Sequence, residues 1–229
     1  AYIQDIYHGP GLKDVPRGTI KRVRVIGYDF GYIGLAGNDI IGLSGPWEAM
    51  RILGTVPVEQ DDSVTFRVPA NTPIAFQALD AEGKAVQLMR TWVTAMPGEY
   101  MSCVGCHEYK YSATPPAGDM PNILGRPPRE LEPESWGSGY VDFPSMVQPV
   151  LDKHCVRCHG QGKTSDSQDA PMNLTGAVQP YAYTQCPNNG DATQNPRRAF
   201  TASYLNLTRF GHGDGPVNWI SAQTRPSPL

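Results

Sequence analysis

The sequence predicts a β-rich α+β fold, in which a small antiparallel β-sandwich precedes loop-rich segments with short helices. Short runs that alternate apolar and polar residues recur through the first hundred positions, as in half-buried strands. Glycine (24) and proline (22) together form about a fifth of the 229 residues, which favours loops and turns over long helices. Beyond residue 100, a short helical pattern at residues 146–153 is flanked by sequence typical of loops.

Four segments are candidate strands of the sandwich: residues 20–28, 63–68, 74–79 and 85–93. The first, IKRVRVIGY, alternates charged and branched side chains, and the second alternates in the same way until Pro69 stops it. Asp80-Ala81-Glu82-Gly83, between the last two, is typical of a tight turn. We expect this sandwich to be a scaffold, because a fold does not carry function by itself.

Six prolines follow the sandwich, so residues 112–136 cannot form a continuous helix or a central strand. They are Pro115, Pro116, Pro121, Pro127, Pro128 and Pro133. The stretch is expected to be an ordered wrap or a linker. Pro149 then fits the first turn of the helical run, after Gln148 or Ser145. Beyond Gly160 the sequence again predicts loops.

Composition excludes two classes of partner. The chain has 19 Lys and Arg against 22 Asp and Glu, a net charge of −3 and no basic run, so no nucleic-acid partner is expected. No stretch of 18 apolar residues occurs, so no membrane span is expected. The chain begins at Ala1 without a visible signal peptide, which predicts either a removed signal or a piece of a longer protein.

Two pentapeptides carry the chemistry, and four of the five cysteines lie in them. Two cysteines three apart on a helical turn can form thioethers with the two vinyl groups of one porphyrin, and the histidine that follows lies under the iron. The sequence therefore predicts two covalently bound haem c groups outside the cytoplasm, in a periplasmic or equivalent compartment or in a secreted protein. The predicted attachment residues are Cys103, Cys106 and His107, and Cys155, Cys158 and His159.

Zinc and a redox disulfide fit these cysteines less well. A zinc ribbon separates its Cys-x-x-Cys pairs by about 15–20 residues, whereas 48 residues lie between Cys106 and Cys155. A thioredoxin-like site needs a βαβ context, which the pattern does not provide. Cys186, outside both motifs, is expected to be a free thiol, with a bond to another chain as the alternative.

The opposite faces of the two irons have four candidate ligands. His154 cannot reach its own haem but could bind a neighbouring one; otherwise it is a surface histidine. His212 lies in a glycine-flanked stretch that would let the backbone approach a cofactor, and His8 is a ligand or a loop residue. Tyr111 follows His107 by four residues, so both share a face if a helical turn continues, although packing is the alternative role.

The motifs complete the predicted domain organisation. A β-sandwich domain ending in the first haem motif spans residues 1–111, a proline-rich linker spans 112–140, and a second, cytochrome c-like haem domain spans 141–229.

Several blocks of sequence carry a family resemblance. They are GPW (45–47), RILGTVPVE (51–59), FRVPANTPI (66–74), QLMRTW (87–92), MPGE (96–99), CVGCHE (103–108) and VQPVLDK (147–153). Together they resemble the haem-bearing region of the hydrazine synthase alpha subunit and its di-haem relatives. The resemblance implies a β-propeller before this region and a longer chain after it, unless His212 replaces the second haem's distal histidine. It also implies that Tyr111 binds the first iron while His107 turns to a zinc ion.

Two functions are compatible with these motifs. The favoured one is electron transfer by two low-spin haems to a redox partner protein, to further copies of the chain or to other subunits. The alternative is a hydrazine-synthase-like oxidoreductase, whose first haem acts on small nitrogen compounds. A sixth ligand on the first haem iron would favour electron transfer, and an open coordination position would favour catalysis.

Overall fold

The computed structural model describes residues 1–29, 50–89, 91–106, 125, 127–160, 172–180 and 199–212, except the side chains of 180, 199 and 208–212. The chain divides into two compact units, Ala1–Tyr140 and Val141–Ala222. Strands dominate the first and short helices the second, which confirms the predicted β-rich α+β class. Within the described ranges, no helix is long and apolar enough to cross a membrane.

Within its described residues, the first unit has nine short strands. They are β1 (Tyr2–Ile3), β2 (Arg22–Tyr28), β3 (Met50–Pro57), β4 (Val64–Thr65), β5 (Pro73–Leu79), β6 (Ala85–Leu88), β7 (Val93–Thr94), β8 (Ser102–Cys103) and β9 (Gly139–Tyr140). The larger sheet is antiparallel in the order β6-β5-β2-β3-β9, and β7 pairs with β5. The smaller sheet has the order β4-β1-β8, in which β1 and β8 run parallel.

Alternation along β2 explains how the sandwich closes. Val23 and Val25 are buried in a core shared by both sheets. Arg22 and Arg24 point to the opposite face, because successive side chains of a strand alternate. Phe66 is fully buried and meets Phe76 edge-on, with ring centroids 5.6 Å apart. The other members of the core cluster are Ile3, Ile6, Leu12, Ile20, Val56, Val64, Ile74 and Ala78.

The structure contains strands at the predicted positions, with three differences. Residues 20–28 and 74–79 correspond to β2 and β5. Residues 63–68 contain only the two-residue β4, and residues 85–93 divide into β6 and β7 on the same edge of β5. Strand β3 was not predicted. It carries a bulge opposite Val25, after which the register resumes one residue out of phase, so its burial pattern does not alternate.

A strap, residues 127–134, joins the edges of both sheets. Arg67 N donates to Arg129 O (2.9 Å), and Thr55 and Glu132 exchange a pair of backbone hydrogen bonds of 2.7 and 2.8 Å. Gly54 permits this approach, because a Cβ there would lie 2.7 Å from Glu132 O. The second half of the proline-rich stretch is therefore bound to the first unit.

The part of the second unit that the structure describes has three α-helices and one strand pair. They are α1 (Gln148–His154), α2 (Val156–His159), α3 (Ala202–His212), and the antiparallel strands β10 (Val178–Pro180) and β11 (Ala199–Thr201). A π-helical turn, Phe143–Val147, leads into α1, and Pro149 lies in the first turn of α1 as predicted. The rings of Phe143 and Phe200 each lie 5.2 Å from the ring of Tyr204.

Helix α3 corrects the prediction of loops beyond Gly160. It places His212 at the last residue of a helix instead of in a glycine-flanked loop. Thr201 Oγ1 accepts a hydrogen bond from Tyr204 N (3.2 Å), as an N-cap residue does. That threonine was the sequence signal that could have predicted the helix.

Candidate haem-attachment sites

The first motif begins in a strand. Cys103 ends β8 beside Ile3, whereas the spacing of the cysteines predicted a helical turn. The carbonyls that a helix would bond internally are bonded instead to the N-terminal segment. Gln4 N donates to Cys103 O (2.9 Å), Asp5 N to Val104 O (3.0 Å) and Gly11 N to Cys106 O (3.3 Å). Residues 103–106 of the motif are therefore held as part of the β-sandwich.

Gly105 is required by this close packing. A Cβ at this position would lie 2.5 Å from Asp5 O and 2.6 Å from His8 Cβ, closer than real Cβ atoms come. The backbone of His8 thus lies against the first motif.

A cavity of about 460 Å³ opens beside Cys103 and Cys106, within the usual size range of small-molecule sites. Its lining is mainly apolar, from Ile3, Ile6, Val23, Phe76, Ala78, Leu88 and Met89, with Gln87, Thr91, Ser102 and Gly105 completing it. Gln87 Nε2 donates to Gly11 O (2.8 Å), which ties this polar side chain to the segment that holds the motif. Two thiols in the wall of an apolar cavity are compatible with a porphyrin ring that is attached by two thioether bonds.

The burial of Cys106 also favours an uncharged thioether over a metal-bound thiolate. Burial, with smaller contributions from Cys103 and Asp5, raises the pKa of the Cys106 thiol to about 12. Zinc binds cysteine as the thiolate, which this environment disfavours. A thioether carries no charge, so its burial is not opposed. The four motif cysteines form no disulfide with one another, and the described residues contain no group of three His, Cys, Asp or Glu that could hold a metal ion.

The second motif has the helical turn that the spacing predicts. Cys155 precedes α2, and its carbonyl accepts hydrogen bonds from Cys158 N (3.1 Å) and His159 N (3.0 Å). Cys155 is half-buried and Cys158 is exposed. One turn therefore carries both thiols and ends at the histidine.

The ring of His159 is oriented by a backbone carbonyl. Its Nδ1 lies 3.0 Å from Met172 O. A carbonyl oxygen only accepts, so Nδ1 carries the proton and the Nε2 lone pair of the neutral ring remains for a metal. Metal-binding histidines almost always donate their other N–H in this way. Leu174 N also donates to His159 O (2.9 Å), so residues 172–174 hold both ring and backbone.

The remaining candidates are only partly located. His154 is exposed at the end of α1, next to Cys155. His107 and Tyr111 lie outside the described residues, as do the side chain of His212 and all of Cys186. Sequence reasoning did not assign a role to Gly105 or to Met172. For Gln148, which is only 7% exposed, it gave only a place before Pro149 at the start of the helix.

Two comparisons with known proteins found similarity, one over part of the first unit and one over most of the chain. Residues 18–108 match the family model of the hydrazine synthase alpha subunit middle domain. A solved structure of Kuenenia stuttgartiensis hydrazine synthase is similar over 90% of this chain, with a TM-score of 0.53 and 20% identity, which shows the fold alone. This chain spans 32% of that one, and no curated protein matches it. The chain thus contains a region related to the middle domain of the hydrazine synthase alpha subunit.

Proposed function

We propose that this chain is a di-haem c-type cytochrome module that transfers electrons outside the cytoplasm. The observation that carries the proposal is the hydrogen bond from His159 Nδ1 to Met172 O, at the end of a turn with two thiols. Cys155, Cys158 and His159 would hold one haem, which supplies one-electron redox chemistry when bound.

The second haem of the proposal would be held by Cys103, Cys106 and His107. Support comes from the apolar cavity beside the two cysteines and from the burial that keeps Cys106 neutral. The side chains of Ile3, Phe76 and Met89 would exclude water from the ring. An apolar, water-poor surrounding is one of the means by which a protein tunes the reduction potential of a haem.

Compartment and partners follow from the same chemistry. Covalent haem attachment takes place outside the cytoplasm, which supports a periplasmic or equivalent location, or secretion. Electrons would pass to a redox partner protein, to other copies of the chain or to other subunits.

A catalytic role for the first haem is the second candidate. The observation that favours it is the match of residues 18–108 to the hydrazine synthase alpha subunit middle domain, since this region contains the first motif. The substrates would then be small nitrogen compounds, and a zinc ion near His107 belongs to this candidate. Fold-level likeness is weak evidence for a reaction, so electron transfer is preferred.

Denaturing mass spectrometry tests the proposal. The full chain, made in a host that attaches haem c, should carry the mass of two haems. Replacing Cys155 and Cys158 by Ser should remove one, and replacing Cys103 and Cys106 should remove the other. Cys186→Ser is the matched control and should keep both. A wild-type chain with the bare polypeptide mass, or with zinc in place of haem, would contradict the proposal.

A further inference from the structure

Gln148 is a buried side chain whose amide is fully hydrogen-bonded. Only 7% of the residue is exposed. Its Nε2 donates to Asp152 Oδ1 (2.8 Å) and to Leu174 O (3.1 Å), and its Oε1 accepts from Ser203 Oγ. Buried amides are retained where every donor and acceptor is satisfied, because an unmade bond there is costly. Gln148 thus joins α1 to residue 174 and to the start of α3.

Residues 172–175 form a bridge between this network and His159. Met172 O accepts from His159 Nδ1 (3.0 Å). The next two carbonyls accept from amide side chains: Asn173 O accepts from Asn206 Nδ2 (2.8 Å), and Leu174 O accepts from Gln148 Nε2 (3.1 Å). The position of the carbonyl that orients His159 is therefore fixed by two amide side chains, one on α1 and one on α3.

We propose that Gln148 is a positioning residue that sets the electron-donor strength of His159 toward the iron. By holding Leu174, it keeps Met172 O at the hydrogen-bonding distance from Nδ1, and Asn206 assists through Asn173. A hydrogen bond donated by Nδ1 makes the ring a stronger donor, which favours ferric iron and lowers the reduction potential. The inference rests on the proposed function, because it requires His159 to be an iron ligand.

Redox titration and EPR of the full, haem-loaded chain test the inference. Gln148→Met keeps the length of the side chain but removes its hydrogen bonds, and Asn206→Ala removes the second support. Each should shift one of the two reduction potentials upward, with Gln148→Met giving the larger shift, and should change the EPR g values of the same haem. Val150→Ala is the matched control, because Val150 lies on α1 but is 55% exposed.

The outcomes separate this inference from the proposed function. Absence of haem at Cys155 and Cys158 in the wild-type chain would overturn the proposed function itself. Two attached haems whose potentials and g values are unchanged in both variants would overturn only the role of Gln148. A lower unfolding midpoint without a shift in potential would assign Gln148 a purely structural role, and would also overturn the inference. If Gln148→Met does not fold, Asn206→Ala decides.

Discussion

Gly105 lies directly against His8: a Cβ atom added to the glycine would come within 2.6 Å of His8 Cβ. Asp5 O closes the other side of the same space at 2.5 Å. The N-terminal segment thereby presses the first motif into the sandwich, and no side chain fits between the two cysteines at this position. Residues 103–106, which belong to the first predicted haem-attachment site, are held in the β-sheet layer by residues about a hundred positions earlier.

Gly105→Ala should destabilise the first unit by about 1–3 kcal/mol, because overpacking forces the backbone to shift. It should also reduce haem attachment at the first motif while the second motif keeps its haem. Chemical unfolding and denaturing mass spectrometry measure the two effects. Gly125→Ala is the control, because a Cβ at Gly125 meets nothing within 4 Å. An alanine variant with wild-type stability and two haems would refute this packing argument.

The ion pair between Arg24 and Glu134 should contribute more to stability than the one between Arg67 and Glu130. The first pair is 2.6 Å long with side chains 15% and 16% exposed, and the second is 3.1 Å long with side chains 67% and 77% exposed. Glu134→Gln should cost about 1–3 kcal/mol, since it weakens a charged hydrogen bond in a largely buried place. Glu130→Gln should cost less than about 1 kcal/mol, as exposed pairs do. Urea unfolding of the two variants measures these costs, and equal losses of unfolding free energy would contradict the expectation.

Elements whose pattern is set by neighbouring residues were predicted from the sequence, whereas elements set by contacts with distant residues were not. Local alternation predicted β2, the candidate strand before the turn at residues 80–83 is β5, and the proline position predicted the start of α1. Strand β3 escaped prediction because its pattern is set by a bulge against β2 and by the strap, both distant in sequence. Spacing predicted the helical turn of the second motif, but not the strand at Cys103, because its backbone partners come from residues 4–11.

At the candidate sites, too, roles that depend on contacts with distant residues could not be predicted from the sequence. The motifs predicted the haem-attachment residues through their chemistry, which depends on five adjacent positions. Neither the carbonyl of Met172 nor the amide of Gln148 could be assigned from sequence, because their roles depend on contacts made across the second unit.

Alkaline pH should destabilise the protein in part through Tyr28. Burial raises the pKa of Tyr28 above its usual value of 10.0. The unfolded chain then releases this proton at a lower pH than the folded chain. The stabilising contribution is complete below pH 10 or so and is lost as the pH rises through the folded pKa. Tyr28→Phe should therefore show a smaller fall in the free energy of unfolding between pH 8 and about pH 11.

Tyr100→Phe is the matched control for this prediction, because Tyr100 is 96% exposed and has nearly the same surroundings in the folded and unfolded chain. Its fall in stability with pH should equal that of the wild type. Identical pH dependence of the Tyr28 variant and the wild type would show that Tyr28 ionises without loss of stability.

The two haems should be inequivalent in EPR spectra of the oxidised protein. The haem at Cys155 and Cys158 should be low-spin and six-coordinate, with His159 and a second histidine. The other should give a high-spin ferric signal if Tyr111 binds its iron, as the four-residue offset from His107 and the family resemblance imply. A phenolate is a hard anionic donor, so it favours ferric iron and lowers the reduction potential.

Tyr111→Phe should abolish or shift the high-spin signal and leave the low-spin signal unchanged. Tyr109→Phe is the sequence-matched control, since Tyr109 follows His107 by only two residues and should not share its face of a helical turn. A wild-type spectrum with two low-spin bis-histidine signals would limit Tyr111 to packing, and His107 would then bind its own haem iron. Because such an iron has no open face for a substrate, that result would favour electron transfer over catalysis at the first site.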